Sequence, residues 1–209
     1  AHIHNVKVNL AINILFKNSE LQSALDTIVQ AYNLGVDSFI IQDLGLAYLV
    51  HTHYPQIEIH ASTQASVHNI DGVRALEDVG CARVVVAREL DKDSIKRICD
   101  EVDAEIEMFV HGALCVSQSG QCLFSSLVGG RSGNRGECAQ PCRLPFACKK
   151  GENAYPLSLK DLSLAAHVPA LIESGVASLK IEGRMKAPEY VRDTARIWRR
   201  LLDERRAAT

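Results

Sequence analysis

The stretch RVVVARELDKDSIKRICDEVDAEIEMFVHGAL, residues 83–114, decides the fold. It begins and ends with nearly continuous apolar runs, 83–90 and 105–114, which are typical of strands buried on both faces of a parallel sheet. The segment between them is predicted to be a helix. The first run ends in the polar residues Arg88 and Glu89. The pattern predicts a βαβ unit with polar side chains where its strands end.

The same alternation recurs in both directions along the chain. Four further strands are predicted at 6–13, 38–45, 58–64 and 178–185, with helices between the strands and after the last one. Such alternation is found in open doubly wound sheets and in (β/α)8 TIM barrels. No G-x-G-x-x-G motif follows any strand, which disfavours the open dinucleotide-binding sheet. Polar residues at nearly every strand end favour a barrel, because barrel enzymes gather such groups at one mouth.

We therefore predict an α/β fold, a TIM-barrel-like parallel barrel that is incomplete. About six βα units are present in the sequence, and we expect the first two of the usual eight to be missing. The 209 residues, 47% of them hydrophobic, suffice for one domain with a full core. We predict a single barrel domain over residues 1–209, an N-terminally truncated fragment with a cysteine-rich loop at 115–148.

Bulk properties narrow the class of protein and its location. The net charge of −2 provides no overall basic field of the kind that marks an electrostatic nucleic-acid binder. No apolar run reaches the roughly 20 residues of a membrane span, and the N-terminus does not resemble a signal peptide. We expect a cytoplasmic protein. In a reducing compartment, clustered cysteines are more often metal-binding or catalytic than disulfide-bonded.

The loop at 115–148 contains five of the seven cysteines: Cys115, Cys122, Cys138, Cys142 and Cys148. The first four have the spacing C-x6-C-x15-C-x3-C. Thiolates are soft ligands for iron–sulfur clusters, zinc or copper(I). Structural zinc sites use closer pairs than the first of these spacings, whereas a cluster is larger than one ion. The pattern favours an iron–sulfur cluster; zinc and free or redox-active thiols are the alternatives, and Cys148 is an alternative fourth ligand.

Two strand-end histidines are candidates for catalysis. His60 and His111 are each predicted near the end of a strand, where they face the same mouth if the fold is a barrel. Their structural alternative is hydrogen bonding within the fold. Gln64 and Arg88 end neighbouring strands and are predicted to bind substrate. Glu107 lies within a strand, and a buried salt bridge is the simplest interpretation of its position.

A second polar group lies on the strand at 178–185. Lys180, Glu182 and Arg184 alternate along it and therefore share one face. They form either an internal ion-pair network or a pocket for a carboxylate or another anion, with Glu182 and Arg184 as catalytic residues and Lys180 as a substrate-binding residue. Arg131 and Arg135 are either further substrate-binding residues or solvated loop charges.

Residues 107–125, EMFVHGALCVSQSGQCLFS, resemble the signature of the peptidase U-32 family, the collagenase-like proteases. The match includes Cys115 and Cys122, and Phe124 departs from it by replacing an aliphatic residue. Four further blocks also resemble the family: IHASTQ, GGRSGNRGECAQPCR, SLKDL and SLKIEGRMK. The resemblance therefore extends over almost the whole chain.

The resemblance implies a barrel core and a 4Fe–4S cluster held by Cys115, Cys122, Cys138 and Cys142. It also implies two βα units before the segment at 6–13. The family's functions divide between a historical peptidase or collagenase label and oxygen-independent hydroxylation of a tRNA wobble uridine, an rRNA cytidine or a ubiquinone precursor. Prephenate is implicated as the hydroxyl source in the RNA-modifying members, and a pocket containing Lys180 and Arg184 would suit its carboxylates.

We predict an iron–sulfur-dependent, O2-independent RNA hydroxylase that acts on tRNA or rRNA. A cluster adds nothing obvious to amide hydrolysis but suits redox chemistry. The first alternative is a collagenase-like peptidase, for which His111 and Cys115 are the candidate pair; the sequence shows no third orienting group and no HExxH motif. The second alternative is a cluster scaffold that works with a homologous protein partner in ubiquinone-precursor hydroxylation.

Overall fold

The computed structural model describes residues 1–147 and 153–207, and its centre is a mostly parallel sheet flanked by helices. The strands are β1 (Asn9–Ile12), β2 (Ser38–Ile41), β3 (Glu58–Ala61), β4 (Cys81–Val85), β5 (Glu105–Gly112), β6 (Phe146–Ala147), β7 (Asn153–Ala154), β8 (Leu162–Ser163) and β9 (Ser178–Glu182). The helices are α1 (Leu21–Asn33), α2 (Leu44–His53), α3 (Ile70–Asp78), α4 (Lys92–Glu101), α5 (Phe124–Gly129), α6 (Val168–Glu173) and α7 (Pro188–Ala207).

Six strands run parallel in the order β1–β2–β3–β4–β5–β9. The two-residue strand β8 pairs antiparallel with the end of β5, and β6 and β7 form a separate hairpin. The predicted α/β architecture and its six main strands are therefore confirmed. In the described ranges, β1 and β9 are the edges of the parallel sheet, and no hydrogen bonds join them. The two preceding βα units stay a prediction.

Side-chain caps determine where several helices begin. Asp43, Asn69 and Asp91 each accept a hydrogen bond from a backbone N–H in the first turn of α2, α3 and α4. The strand predicted at 38–45 is too long, because β2 ends at Ile41 and Asp43 caps α2, which begins at Leu44. The other predicted strands are also shorter in the structure. Three of them end before the polar residues Gln64, Arg88 and Arg184, which line a cleft.

The core lies between the sheet and helices α1 to α4. Phe39, Val84 and Ile106 on the strands are almost completely buried against helix residues such as Ile28 and Ile98. Removing apolar surface from water is the main favourable contribution to folding. This packing confirms the two-sided burial that the apolar runs predict. A smaller cluster joins β5 to α6 and α7 through Val110, Val168, Leu171 and Trp198.

None of the helices in the two described ranges is both long enough and apolar enough to cross a lipid bilayer.

Candidate functional site

A cleft of about 900 Å3 opens at the carboxyl ends of the parallel strands. Its lining includes the four predicted cysteine ligands, Cys115, Cys122, Cys138 and Cys142. It also includes five predicted polar site residues: Gln64, Arg88, Lys180, Glu182 and Arg184. The structure thus brings the cysteine loop and the strand-end residues together. Parallel strands make this possible because their carboxyl ends lie at one edge of the sheet.

Two glycines allow the cysteine loop to approach the strands. Gly112 has φ 103°, and a Cβ there would lie 2.3 Å from the carbonyl oxygen of Glu182. Gly120 has φ 73°, and a Cβ there would lie 2.0 Å from the carbonyl oxygen of Gln64. Both positions need left-handed backbone and no side chain. The chain can therefore leave β5 and return across the end of β3.

Arg143 ties the first and last cysteines of the set to a third segment. One guanidinium nitrogen donates to the carbonyl oxygen of Leu114 at 2.6 Å, immediately before Cys115. The other terminal nitrogen donates to Ser158 Oγ at 2.9 Å and to the carbonyl oxygen of Leu159 at 2.7 Å. Because Arg143 follows Cys142 directly, its planar fork holds the two ligand segments at a defined separation.

Other polar contacts fasten the loop to the fold. Arg135 makes a two-pronged ion pair with Glu20, at 2.7 and 2.8 Å, near the start of α1. The buried Ser125 hydroxyl accepts the backbone N–H of Ala139 at 2.9 Å. The Glu89 carboxylate accepts the backbone N–H of Ser119 at 2.6 Å. Each contact joins a loop segment that carries a cysteine to a neighbouring element or segment.

The four thiols suit a shared soft-metal group. All four are free of disulfide bonds and half-buried or exposed. The backbone N–H of Gln140 donates to Cys138 Sγ at 3.4 Å, a contact of the kind that tunes cluster sulfurs. Among residues 1–147 and 153–207, no three His, Cys, Asp or Glu side chains form a group for a single metal ion. Cys148, the alternative fourth ligand, lies outside the described residues.

Burial raises the pKa of the Cys142 thiol, and the neighbouring Cys115 and Cys138 raise it further, whereas Arg143 opposes the shift. Cys115 and Cys138 therefore lie near enough to Cys142 to influence its charge. A bound metal group would hold them as thiolates. Four free thiols that line one cleft are a donor set of the kind that holds a cluster.

The cationic side chains of the cleft differ in how they are paired. Lys180 Nζ lies 2.8 Å from Glu107 Oε1 and is held in a buried network that also includes Ser178 and Arg83. This network lowers the pKa of the Glu107 carboxyl against the opposing effect of burial. The predicted internal salt bridge of Glu107 is present. Lys180 therefore serves this ion pair as well as lining the cleft.

Arg88 is paired more loosely than Lys180. Its guanidinium nitrogen Nη2 lies 3.6 Å from Glu182 Oε2, and its guanidinium carbon lies 4.0 Å from the centre of the Phe109 ring. The other oxygen of Glu182 accepts the backbone N–H of Arg184 at 2.8 Å. Arg184 itself is exposed at the rim of the cleft, next to the ion pair of Lys186 and Asp161.

The structure does not bring the two histidines to the cleft. His60 is 2% exposed, its Nε2 lies 2.7 Å from Glu58 Oε1, and burial lowers its pKa. His111 packs against Tyr190 and Trp198 of α7. Neither residue is in the cleft lining. Their placement corrects the prediction that both face the active mouth. His60 is buried and bound to Glu58, and a register irregularity between Phe109 and His111 interrupts the alternation that would put His111 on the same face as Phe109.

The loop arginines also require a correction. Arg135 is engaged by Glu20 and the carbonyl oxygen of Leu15, so its charge anchors the loop instead of facing the cleft. Arg131 is exposed, and its backbone N–H binds the carbonyl oxygen of Ser125, but it too lies outside the cleft lining. These placements do not support direct contacts with a substrate inside the cleft.

Two contributors are not indicated by the sequence: the Phe109 ring beside Arg88 and the Lys186–Asp161 pair at the rim. Arg143 is indicated only as a charge flanking the cysteines, either a phosphate or carboxylate contact or a solvated loop charge, and the structure shows it as a clamp. Period-two alternation along β5 places Phe109 on the same face as Glu107, which is the signal that would have indicated it. The other two depend on contacts between segments distant in sequence.

The fold and the site define an α/β protein with a cysteine-lined, partly basic cleft at the carboxyl ends of its parallel strands. The chain belongs to peptidase family U32, because the model of that family matches residues 1–209. The sequence and structure therefore confirm the resemblance seen in the motif at 107–125.

Two curated relatives carry names from RNA modification. The "23S rRNA 5-hydroxycytidine C2501 synthase" of Escherichia coli (strain K12) is 42% identical over 209 residues, which cover 97% of this chain and 32% of that protein. The "tRNA hydroxylation protein P1" of Bacillus subtilis (strain 168) is 34% identical over 212 residues, which cover 96% and 50%. The chain thus spans half or less of the length of these relatives.

A solved structure described as a U32 peptidase shares the fold. Its TM-score is 0.57 at 18% sequence identity, and the match covers 90% of this chain and 74% of that one. At this identity, the match extends to the architecture alone. It agrees with the parallel sheet and alternating helices described above.

Proposed function

We propose that this chain carries the cluster-binding and substrate-binding cleft of an O2-independent RNA hydroxylase. The observation that carries the proposal is the meeting of four cysteine thiols with Arg88, Lys180 and Arg184 in one cleft. The names of the two RNA-modifying relatives support the same class of reaction. An RNA substrate, tRNA or rRNA, accords with the cytoplasmic location expected from the sequence.

Cys115, Cys122, Cys138 and Cys142 would hold a 4Fe–4S cluster, which supplies one-electron chemistry when bound. Arg143 would keep Cys115 and Cys142 at the separation that such a ligand shell needs. The exposed cations Arg184 and Lys186 at the rim would contact RNA phosphates. The low net charge of the chain makes a local basic rim more important than a general field.

Hydroxylation without O2 needs a donor for the oxygen. Replacing a C–H hydrogen of a base by hydroxyl is a two-electron oxidation. A donor R–OH that ends as R–H accepts those two electrons and receives the hydrogen, so the exchange is balanced. We propose prephenate as this donor, because its two carboxylates would find cationic partners in the cleft. The cationic residues of the cleft would then place the donor beside the base.

The direct test is mass spectrometry of RNA nucleosides from cells that lack the gene for the whole protein. We expect a hydroxylated pyrimidine to disappear and to return with the wild-type gene, but not with Cys142→Ser. Cys99→Ser is the matched control, because Cys99 lies in α4 away from the cleft and should restore the nucleoside. An unchanged nucleoside profile in the deletion strain would refute RNA hydroxylation.

Peptidase activity is the competing function, named in the family description. It predicts cleavage of gelatin that both Cys115→Ala and His111→Ala abolish. The packing of His111 against α7 does not support the pairing of these two residues as nucleophile and base. Cleavage by purified protein that is lost in both variants would nevertheless establish the peptidase and displace the hydroxylase.

A further inference from the structure

We propose that Arg88 is the carboxylate-binding residue of the cleft, that it binds a small organic acid, and that Glu182 occupies its guanidinium until the acid arrives. Phe109 is the positioning residue for this guanidinium. The inference rests on the proposed function in one respect, since the acid would be the hydroxyl donor. It changes the assignment made from the sequence, which placed the carboxylate pocket at Lys180 and Arg184.

The geometry around Arg88 leaves hydrogen-bonding capacity unused. Its Nε is buried and has no hydrogen-bond partner. Burying an N–H donor without a partner is costly, so such groups in a cleft mark positions where a ligand completes the set. The guanidinium carbon lies 4.0 Å from the centre of the Phe109 ring, within range of a cation–π interaction. This contact restricts the guanidinium and leaves N–H donors for a carboxylate.

Lys180 is the less suitable carboxylate binder. Its ammonium nitrogen already lies 2.8 Å from the carboxylate of Glu107, a residue that is only 6% exposed. Drawing Lys180 away would leave the Glu107 carboxylate buried with one ion-pair partner fewer, which is unfavourable. Lys180 lies 5.6 Å from the same Phe109 ring and adds positive potential without surrendering its own partner.

Glu182 shows where a ligand carboxylate would bind. Its Oε2 lies 3.6 Å from Arg88, whereas charge-assisted hydrogen bonds of this type are usually about 2.7–2.9 Å. Its Oε1 is held by the backbone N–H of Arg184, so the carboxylate cannot close on Arg88 without losing that bond. A free carboxylate has no such restraint. It can take the Nε and Nη donors together in the two-pronged geometry that Glu182 does not reach.

The burial of Arg88 favours a small acid over an RNA phosphate. The Arg88 side chain is 18% exposed, below the rim formed by the exposed Arg184 and Lys186. The phosphates of a polynucleotide reach exposed cations more easily than they reach a cation that lies beneath the rim. The cleft of about 900 Å3 has room for a small acid in addition to the reacting base.

The test is calorimetric titration of the whole, anaerobically purified protein with prephenate. We expect Arg88→Gln to weaken binding by about tenfold or more, because it removes a charge-assisted pair. Phe109→Leu should weaken it by about threefold, through the loss of stacking. Glu182→Gln should tighten it by roughly threefold to tenfold, since the competing charge is removed. Arg97→Gln, on the exposed face of α4, is the matched control and should leave affinity unchanged.

The sign of the Glu182→Gln effect separates competition from simple structural support. Weaker binding in Glu182→Gln, or unchanged binding in Arg88→Gln, would overturn the inference. A second arm titrates a short RNA in place of prephenate: a loss of RNA affinity in Arg88→Gln, with prephenate affinity intact, would reassign Arg88 to phosphate binding and also overturn it. If prephenate fails to bind while Cys142→Ser still abolishes the modified nucleoside, the inference fails and the hydroxylase proposal stands.

Discussion

Two regions of this protein are stabilised in different ways. The sheet region, residues 9–112, contains strands and helices whose apolar side chains, such as Phe39 and Val84, are almost completely buried. The thiol region, residues 113–147, has three buried residues, and two of them are Ser119 and Ser125. Hydroxyls, two carboxylates and two guanidinium groups hold the thiol region in place instead of a core.

The contrast shows how a loop can be shaped for a ligand. Apolar burial is non-directional, so it favours compactness over the placement of individual atoms. Hydrogen bonds from Arg143 and Arg135 act at defined angles and lengths and therefore set backbone positions. The thiol region leaves Leu127 and Val128 exposed while it places its cysteines along the cleft. We expect a bound cluster to supply the cross-links that a core supplies in the sheet region.

The largest effect is expected from removing one proposed ligand, which tests whether the thiol region depends on a cluster. Cys142→Ser should reduce the iron of anaerobically purified protein from about four atoms per chain to near zero. Amide hydrogen exchange should become faster across 113–147 and stay unchanged in the sheet region. Cys99→Ser is the control and should retain its iron. Equal iron content in Cys142→Ser and Cys99→Ser would show that Cys142 is not a cluster ligand.

The next largest effect is expected from a cavity in the sheet region. Phe39 is completely buried, so Phe39→Ala should lower the free energy of unfolding by about 3–5 kcal/mol. Denaturant unfolding followed by circular dichroism measures this change. Tyr48→Ala is the control, because Tyr48 is 57% exposed and should change stability little. The iron content of the Phe39→Ala protein that remains folded should match wild type; a parallel loss would mean the two regions are not independently stabilised.

A smaller, local effect is expected from the Arg143 clamp. Arg143→Gln removes the guanidinium that bonds Leu114, Ser158 and Leu159, which should destabilise these contacts by about 1–3 kcal/mol. Hydrogen exchange should quicken at 113–116 and 157–160, and the midpoint potential of the cluster should shift. The control Arg97→Gln should move neither measurement. Unchanged exchange near Leu114 would show that the clamp is dispensable.

The smallest effect is a pH dependence of the anchor between the regions. The hydrogen bonds from Arg135 lower the pKa of Glu20 from 4.5 to about 2. Because the folded-state pKa is the lower one, the contribution to stability is complete above about pH 4.5 and is lost as pH falls towards 2. Nuclear magnetic resonance of the Glu20 carboxyl measures this titration. In Arg135→Gln the pKa should return towards 4.5, and a value that stays near 2 would contradict the ion pair.

Much of the sheet region could be predicted from residues close together in the chain. The apolar runs at 83–90 and 105–114 indicated buried parallel strands, and spacing indicated the helices between them. Strand ends were predicted too late, because polar residues such as Asp43 begin helices or face the cleft instead of continuing the ladder. The cysteine set could be predicted because thiols at those spacings are rare outside metal sites.

The contacts of the polar side chains could not be predicted in the same way. A strand-end histidine satisfies the sequence pattern equally well when it faces a cleft, as predicted for His111, or packs against a helix, as the structure shows. The direction depends on Tyr190 and Trp198, which lie about 80 residues further along the chain. Arg135 could be predicted as a charged loop residue, but its partner Glu20 lies 115 residues earlier in the chain.

The sequence by itself determined the alternating strands and helices, the soft-ligand loop and the family, because these follow from local periodicity and from motifs. Only the tertiary structure decided which charges are already paired. Lys180 and Arg88 are equivalent as cations in the sequence, yet Lys180 is bound to Glu107 at 2.8 Å and Arg88 is only loosely matched by Glu182. The strength of an ion pair depends on the distance between its two charged groups. Here that distance runs across strands, and the order of residues does not specify it.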